Sequence, residues 1–470
     1  MITQTIKKLA DVINSNTTLS SDVANSSFSG VCTDSREIKP GNCFFAIKGD
    51  NFDGHDYVDT ACEKGAACAV VSNEYQRNGK AILRVKDTIT AMGDLARWYR
   101  NQLDAKVVAI TGSAGKTTVR KMVCHVLSQH YKCHQSPKSF NNNIGLPLTL
   151  LATDAVHEII IAEFGSNSPG EIEHLTKIAQ PDLAIVTNIL PVHLEGFGSI
   201  ETIVAEKASI AIGLKDNGKF IVNGDVPKLI EYCKTKNYRH TTFGTTAGCN
   251  TIATNIMTTS LTGKFTVNGT DVEVFVPGKA NISNAIAAWA ICKEFGITAE
   301  QFAIAMKTFL PVGMRMQIET LTRISDNKII TLINDCYNAN PASMANALDC
   351  LGQFKAETNR RSVFICGTMG ELGEQSENLH ANVGKIAAEK NVDLILAVGE
   401  FTDTLVRAAE KHAKAPLQTH LFKNTAELCG KLQDFVRGDD IILVKGSRSV
   451  KLENAVSKLA GQARNEWANE

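Results

Sequence analysis

The sequence predicts an α/β protein built on parallel sheets and divided into three domains. Three observations carry that expectation. Lys106-Val-Val-Ala-Ile-Thr111, Glu158-Ile-Ile-Ile-Ala-Glu163 and Leu183-Ala-Ile-Val-Thr-Asn188 are short, continuously apolar runs rich in β-branched residues, as in strands covered on both faces. Segments of helical length separate them, and that alternation yields a parallel sheet. The chain has 470 residues, 44% of them hydrophobic and 21% charged, an ordinary globular usage that suits about three domains at roughly 150 residues each.

From the N-terminus to about Val85, turn signals break up short apolar runs such as Cys43 to Ile47 and Ala67 to Val71. A small mixed α/β domain over 1–85 is expected. Thr88 to Asn101 reads as a helix leading into a central domain over 86–313, whose sheet takes the three runs above and Lys219-Phe-Ile-Val-Asn223. Within it, alternating apolar residues flank Asn268-Gly269 between Lys264 and Val276, which predicts an inserted β-hairpin. Pro311-Val-Gly313 marks a hinge. Beyond it, runs at Ile329 to Ile333, Ser362 to Cys366, Leu394 to Val398 and Ile441 to Val444 alternate with helical segments, a doubly wound, Rossmann-like domain over 314–470.

Charge and cysteine usage exclude several classes. Forty-nine basic residues balance forty-nine acidic ones, so nothing supports a nucleic-acid coat protein or a polybasic membrane binder. No apolar run approaches the ~18 residues of a membrane span. Met1 to Asn16 lacks the apolar core of a secretory signal, so a cytoplasmic protein is expected. The thirteen cysteines contain no C-x-x-C pair and read as reduced, mostly buried thiols. Cys124, His125, His130, Cys133 and His134 match no standard zinc spacing, and helix packing with surface imidazoles is the expected reading.

Chemistry concentrates after the strand at 106–111. Gly112-Ser113-Ala114-Gly115-Lys116-Thr117-Thr118 lies between strand and helix, where backbone N–H groups and a helix N-terminus face phosphates. Lys116 would reach the terminal phosphates and the Thr117 hydroxyl a magnesium ion. A glycine turn without nucleotide is the alternative. Glu163 ends the next strand and His193 follows the one after, and ligands gather at such strand ends. Each is a candidate magnesium ligand there, though either alone reads equally as a capping or surface residue. Lys207 is, on composition, one exposed lysine among many.

The spacing G-x-x-G-K-T resembles the phosphate loop of the Mur ligase superfamily. Further blocks strengthen the likeness: Thr33-Asp34-Ser35-Arg36, Pro40-Gly41-Asn-Cys-Phe44-Phe45-Ala46, Asp53-Gly54-His55, Asn334-Asp335-Cys-Tyr337-Asn338-Ala339-Asn340-Pro341, Gly367-Thr-Met369-Gly-Glu371 with His380, and Val444-Lys445-Gly446-Ser447-Arg448. They narrow the resemblance to the branch that joins D-alanyl-D-alanine to a UDP-N-acetylmuramoyl tripeptide during cytoplasmic peptidoglycan precursor synthesis. It implies an ATP-dependent amide ligase, a monomer, working through an acyl phosphate with two magnesium ions.

Carried over position by position, the resemblance implies that Thr117, Glu163, His193 and a carbamylated Lys207 bind metal, with Lys116, His193 and Lys207 catalytic. Asn281, Asn284, Arg315 and Asp335 join residues 112–118 as ATP contacts. Ser35, Arg36, Phe45, Asn142, Asn143, Tyr337, Asn338, Asn340, Lys445 and Ser447 are implied substrate contacts. One departure is Ala280, where the family commonly has His. The helix from Ile282 to Phe295 reads equally as a buried core helix, and Tyr337, Asn338 and Asn340 equally as an ordered turn. The Asp-Asn-Pro-Arg string of the sister ligase that adds a diamino acid is absent from the sequence. A folylpolyglutamate synthase would lack the first block, and a phosphate-loop switch or transport ATPase would hydrolyse ATP without ligation. Lys116→Ala should lower turnover at least ~10²-fold, the scale of one preorganised electrostatic group; near-normal turnover in a folded variant would sink its assignment.

Overall fold

Each apolar run expected as a strand forms one. The structure is a computed structural model and describes all residues except 78, 80, 138, 324, 325, 462 and 466–470. It contains two compact units, neither a single stretch of chain. The first gathers Met1–Gly112, Val123–Thr187 and Val204–Thr242, the second Ser113–Met122, Asn188–Ile203 and Phe243–Glu470.

The first unit holds two parallel sheets. Val31–Cys32, Cys43–Phe45, Cys68–Ser72 and Ile82–Val85 form a four-stranded one in chain order. In the other, strands stand in the order Lys219–Asn223, Leu183–Val186, Lys106–Thr111, Ile159–Glu163, Cys133–Gln135. Burial is complete along Ile159–Glu163 and Leu183–Val186, which explains their lack of alternation. The helix Thr88–Arg100 is pinned beneath this sheet by an ion pair that the sequence pattern did not reveal. Arg100 is wholly buried, and donates to the Asp182 carboxylate at 2.8 Å and to Ala179 O at 2.9 Å. Asp182 also accepts from the Val107 amide at 2.9 Å.

Of the cysteine–histidine cluster, Cys124 and His125 lie on the helix Lys116–Leu127 and Cys133 and His134 on the strand Cys133–Gln135. Gln135 donates to Cys124 Sγ at 3.0 Å and His134 bonds to Thr149 O at 3.0 Å. Among the described residues no three His, Cys, Asp or Glu side chains are grouped to hold a metal, and none of the thirteen cysteines is in a disulfide. No helix of the described residues is long and apolar enough to cross a membrane.

In the second unit the hairpin pairs Gly263–Val267 with Thr270–Val274. Its turn places Asn268 and Gly269 at φ 48° and 79°, the left-handed pair that a two-residue hairpin loop requires. A third strand, Thr254–Thr258, joins it. Lys279–Cys292 is buried nearly all round, so the core-helix reading holds for its body. The C-terminal sheet runs Gln418–Phe422, Leu394–Val398, Ser362–Gly367, Ile441–Lys445, Ile329–Asn334, Gln317–Arg323, Ala463–Asn465. The first five are parallel, and Gln317–Arg323 runs antiparallel to both of its neighbours. Gln317–Arg323 escaped the sequence reading because it is mostly half-buried and polar.

His380, part of one motif block, is a core residue of this unit. It is fully buried; its Nδ1–H donates to Ser376 O at 2.7 Å while Nε2 accepts from the Met369 amide at 2.9 Å. Only the neutral ring can do both. Burial accordingly pushes its pKa below the ordinary imidazole value. The associated stability is present above about pH 6.5 and is lost as pH falls through that value toward the lower folded pKa. Urea midpoints should therefore drop between about pH 7.5 and about pH 5, and a folded His380→Gln variant should show a shallower drop. An equal slope in the variant would remove His380 from the account.

Candidate active site

The loop after Lys106–Thr111 leaves the first unit's sheet at its central strand, between Ile159–Glu163 and Leu183–Val186. The chain winds away on both sides of that strand, and in parallel sheets such a carboxyl end is where ligands gather. Gly112 and Gly115 adopt φ 146° and 81°, conformations that side chains disfavour, and Lys116–Leu127 begins at once. The loop is held by Asn188. Ala114 N–H donates to Asn188 Oδ1 at 2.8 Å, and Asn188 Nδ2 donates back to Ala114 O at 3.1 Å. Ser113 N–H donates to Asn188 O at 3.1 Å, while its hydroxyl donates to Leu190 O at 3.0 Å and accepts from Leu190 N–H at 2.9 Å. This corrects one expectation: the Ser113 and Ala114 amides bind protein. The anion-facing part of the loop is the helix entrance around Lys116 and Thr117.

In the second unit, Asn281 and Asn284 sit in the first turns of Lys279–Cys292, and Asn284 lies against this loop. Asn281 Nδ2 donates to Pro277 O at 2.7 Å, and Asn284 Nδ2 to Asn281 Oδ1 at 3.2 Å. The remaining Asn284 oxygen lies against Gly115, where a Cβ would overlap it. Ala280 is exposed, and its N–H donates to Asn346 Oδ1 at 3.3 Å.

Arg315 approaches from the segment after the predicted hinge and donates to Thr117 Oγ1 at 3.2 Å. Its guanidinium lies 4.1 Å from the Tyr337 ring centroid. Nearby, Asp335 and Lys445 end the adjacent parallel strands Ile329–Asn334 and Ile441–Lys445. Lys445 is 2% exposed; it donates to Asp335 Oδ2 at 2.5 Å and Asn338 O at 3.0 Å, and Asp335 Oδ1 accepts from Met316 N–H at 3.0 Å. The pair is therefore engaged within the protein. Asn340 caps the helix Pro341–Thr358, accepting from Ser343 N–H at 2.9 Å. For Asn340 the ordered-turn reading is the one realised, because its amide oxygen is spent on the cap. Ser447 is buried, its hydroxyl 2.8 Å from that of Ser449. His193 is left-handed at φ 51° and pairs through Nδ1 with Glu371, itself at φ 62°.

The first unit places the other candidates. Glu163 is 2% exposed at its strand end, and Asn141 Nδ2 donates to it at 2.9 Å. Lys207 corrects its composition-based reading: it is 1% exposed and donates to Ser166 Oγ at 2.6 Å. Arg36 is exposed and clamps Asp34 through contacts of 2.6–3.1 Å, which lowers the Asp34 pKa to about 2. Ser35 is buried, its carbonyl accepting from Lys64 at 2.9 Å. Phe45, expected at a substrate surface, is wholly buried in the four-stranded sheet; its apolar bulk is worth more in the core than against a polar ligand. Asn142 and Asn143 are exposed, and Asn142 Oδ1 accepts from Gly145 N–H at 2.9 Å.

Three family profiles match in succession: "Mur ligase family, catalytic domain" over residues 27–100, "Mur ligase middle domain" over 110–292, and "Mur ligase, glutamate ligase domain" over 314–448. The UDP-N-acetylmuramoyl-tripeptide–D-alanyl-D-alanine ligase of Bacillus subtilis is 33% identical over 98% of this chain and 99% of its own length. The chain belongs to the Mur ligase family. The enzyme of the same name from Escherichia coli is 34% identical, again over 98% and 99%. Among solved structures, MurF from Acinetobacter baumannii superposes with a TM-score of 0.86 at 28% identity, covering 98% of this chain and 99% of that one. MurF ligase from Thermotoga maritima in complex with ADP gives 0.79 at 25%, covering 92% and 97%.

In this Mur ligase the motif residues proved easier to read than their supports. Asn188, Asn141, Ser166 and Glu371 act through contacts with residues distant in sequence, which no local pattern marks. Asn188 lay inside a quoted block, directly after an apolar strand, and that position was the available signal. The Mur ligase loop also makes a steric prediction. Gly115→Ala should weaken nucleotide binding at least tenfold by calorimetry, and Asn284→Gly in the same chain should recover part of it. Unimpaired binding by the single variant would show that the loop has room.

Proposed function

We propose that this Mur ligase is an ATP-dependent amide ligase that joins D-alanyl-D-alanine to a UDP-N-acetylmuramoyl tripeptide, as a cytoplasmic monomer, in peptidoglycan precursor synthesis. End-to-end similarity to ligases of that name supports the substrates. The observation that carries the use of ATP is the glycine loop opening a helix, with Lys116, Thr117 and Arg315 at its mouth. In this reading residues 1–85 bind the UDP-sugar, 86–313 bind ATP, and 314–470 receive the dipeptide.

The tripeptide carboxylate is a poor electrophile until one oxygen becomes a leaving group. Its attack on the γ-phosphorus forms a P–O bond and releases ADP, giving an acyl phosphate. The dipeptide amine then attacks the carbonyl carbon, loses a proton, and the tetrahedral centre expels phosphate. Two anions must meet in the first step. Lys116 and Arg315 offset that charge, and the prebuilt loop does so without reorganising. Arg36, Asn142 and Asn143 are exposed and serve the UDP-substrate, with Ser35 beside them; Asn338 and Ser447 serve the dipeptide.

Magnesium fits the donor set. Thr117 and Glu163 offer the hard oxygens it prefers, and with few protein ligands grouped among the described residues, phosphate and water would complete its shell. Bound with nucleotide, up to two such ions would act as Lewis acids on phosphate oxygens. His193 and Lys207 complete the proposed ligand set. The Lys207 amine would combine with CO₂ to give a carbamate, which is a carboxylate-like ligand.

ATP turnover should require the tripeptide and D-alanyl-D-alanine together, with the pentapeptide product detected by mass; turnover without the amine acceptor would defeat the ligase reading. Lys207→Ala should be nearly inactive, and a small carboxylate should restore part of the rate. Full activity of that variant in CO₂-depleted buffer would remove the carbamate.

A further inference from the structure

Arg315 is held in an unusual way. Its flanking residues Met314 and Met316 both lie in the left-handed region, at φ 58° and 50°, where non-glycine residues are costly and persist only when their surroundings fix them. The fixing comes from Asp335 to Tyr337. Tyr337 N–H donates to Met314 O at 3.2 Å, and Asp335 Oδ1 accepts from Met316 N–H at 3.0 Å. The next residue, Gln317, enters the antiparallel ladder opposite Asn334. Between these ties the Arg315 side chain lies on the Tyr337 ring, with Arg448 5.9 Å from the same centroid. No carboxylate among the described residues pairs with Arg315.

We propose that Tyr337 is a positioning residue, whose ring face holds the Arg315 guanidinium toward Thr117 and the terminal phosphates of ATP. The proposal rests on the ligase reading above and reassigns Tyr337 from substrate contact to support. The physics favours an aromatic face over a carboxylate for this task. A guanidinium directs its N–H donors in its own plane, so a partner on its face restrains it without using them. A carboxylate would occupy the donors edge-on and cancel the charge that a phosphate needs. Asp335 and Lys445, at the carboxyl ends of adjacent strands, display that opposite case: a cation engaged by its own protein.

Calorimetric titration of the full chain with a non-hydrolysable ATP analogue, and with ADP, tests this. Tyr337→Leu should weaken the ATP analogue about tenfold and ADP much less, while Tyr337→Phe, which keeps the ring, stays within about twofold. In an Arg315→Ala background Tyr337→Leu should cost almost nothing further, because the two act as one unit. KM for D-alanyl-D-alanine should be unchanged. Should Tyr337→Leu misfold, Tyr337→Met serves as the second ring-less variant. Unchanged analogue affinity in the ring-less variant, equal loss in Tyr337→Phe, additive losses with Arg315→Ala, or a rise confined to the dipeptide KM would each overturn the proposal. A wild-type chain that binds no ATP would instead defeat the ligase reading.

Discussion

The reciprocal pair of hydrogen bonds between the Asn188 side chain and the Ala114 backbone is the contact on which the site depends. A phosphate loop must turn sharply, keep its helix entrance open and hold its shape before ligand arrives. Left alone, a run of small residues would spend its conformational freedom on many shapes. Asn188 fixes the loop with one donor and one acceptor, and its own backbone carbonyl takes the Ser113 amide. The two amides that would otherwise be loose are satisfied by protein, so the loop enters binding already formed. Preorganisation of this kind is where electrostatic catalysis gains most, since no dipoles need reorienting as charge develops.

The protein treats its buried and site cations in two ways. Lys445 and Arg100 are buried against Asp335 and Asp182, with their donors engaged. Removing one partner from such a pair leaves a stranded charge, at a cost of about 3–5 kcal/mol, so these residues are architectural. Arg315 is held in place by a ring and by its strained backbone, with its donors left to face outward from the ring. The separation has a chemical reason, because a cation neutralised by its own protein cannot balance an incoming phosphate.

Local grammar was legible. Continuous apolar runs marked the buried strands, Asn268-Gly269 marked the hairpin, and Gly112 to Thr118 marked the phosphate loop. Quoted blocks also held residues whose work is internal: His380 ties Ser376 to Met369, Asn340 caps a helix, and Phe45 fills a sheet. A motif string reports that a residue type is needed, and packing, capping and catalysis all leave such strings. Gln317–Arg323 failed for the converse reason, since a half-buried polar strand carries little hydrophobic period.

By itself the sequence determined the α/β class, the alternation of strand and helix, and the family resemblance, because these rest on side-chain periodicity and on short contiguous strings. Only the tertiary structure decided which side chains are spent on the protein and which are presented. It buried Lys207 that composition left at the surface, gave Asn188 its hold on the loop, and brought Arg315 to Thr117 across 198 positions of chain. Such contacts join residues far apart in sequence, and no local period records them.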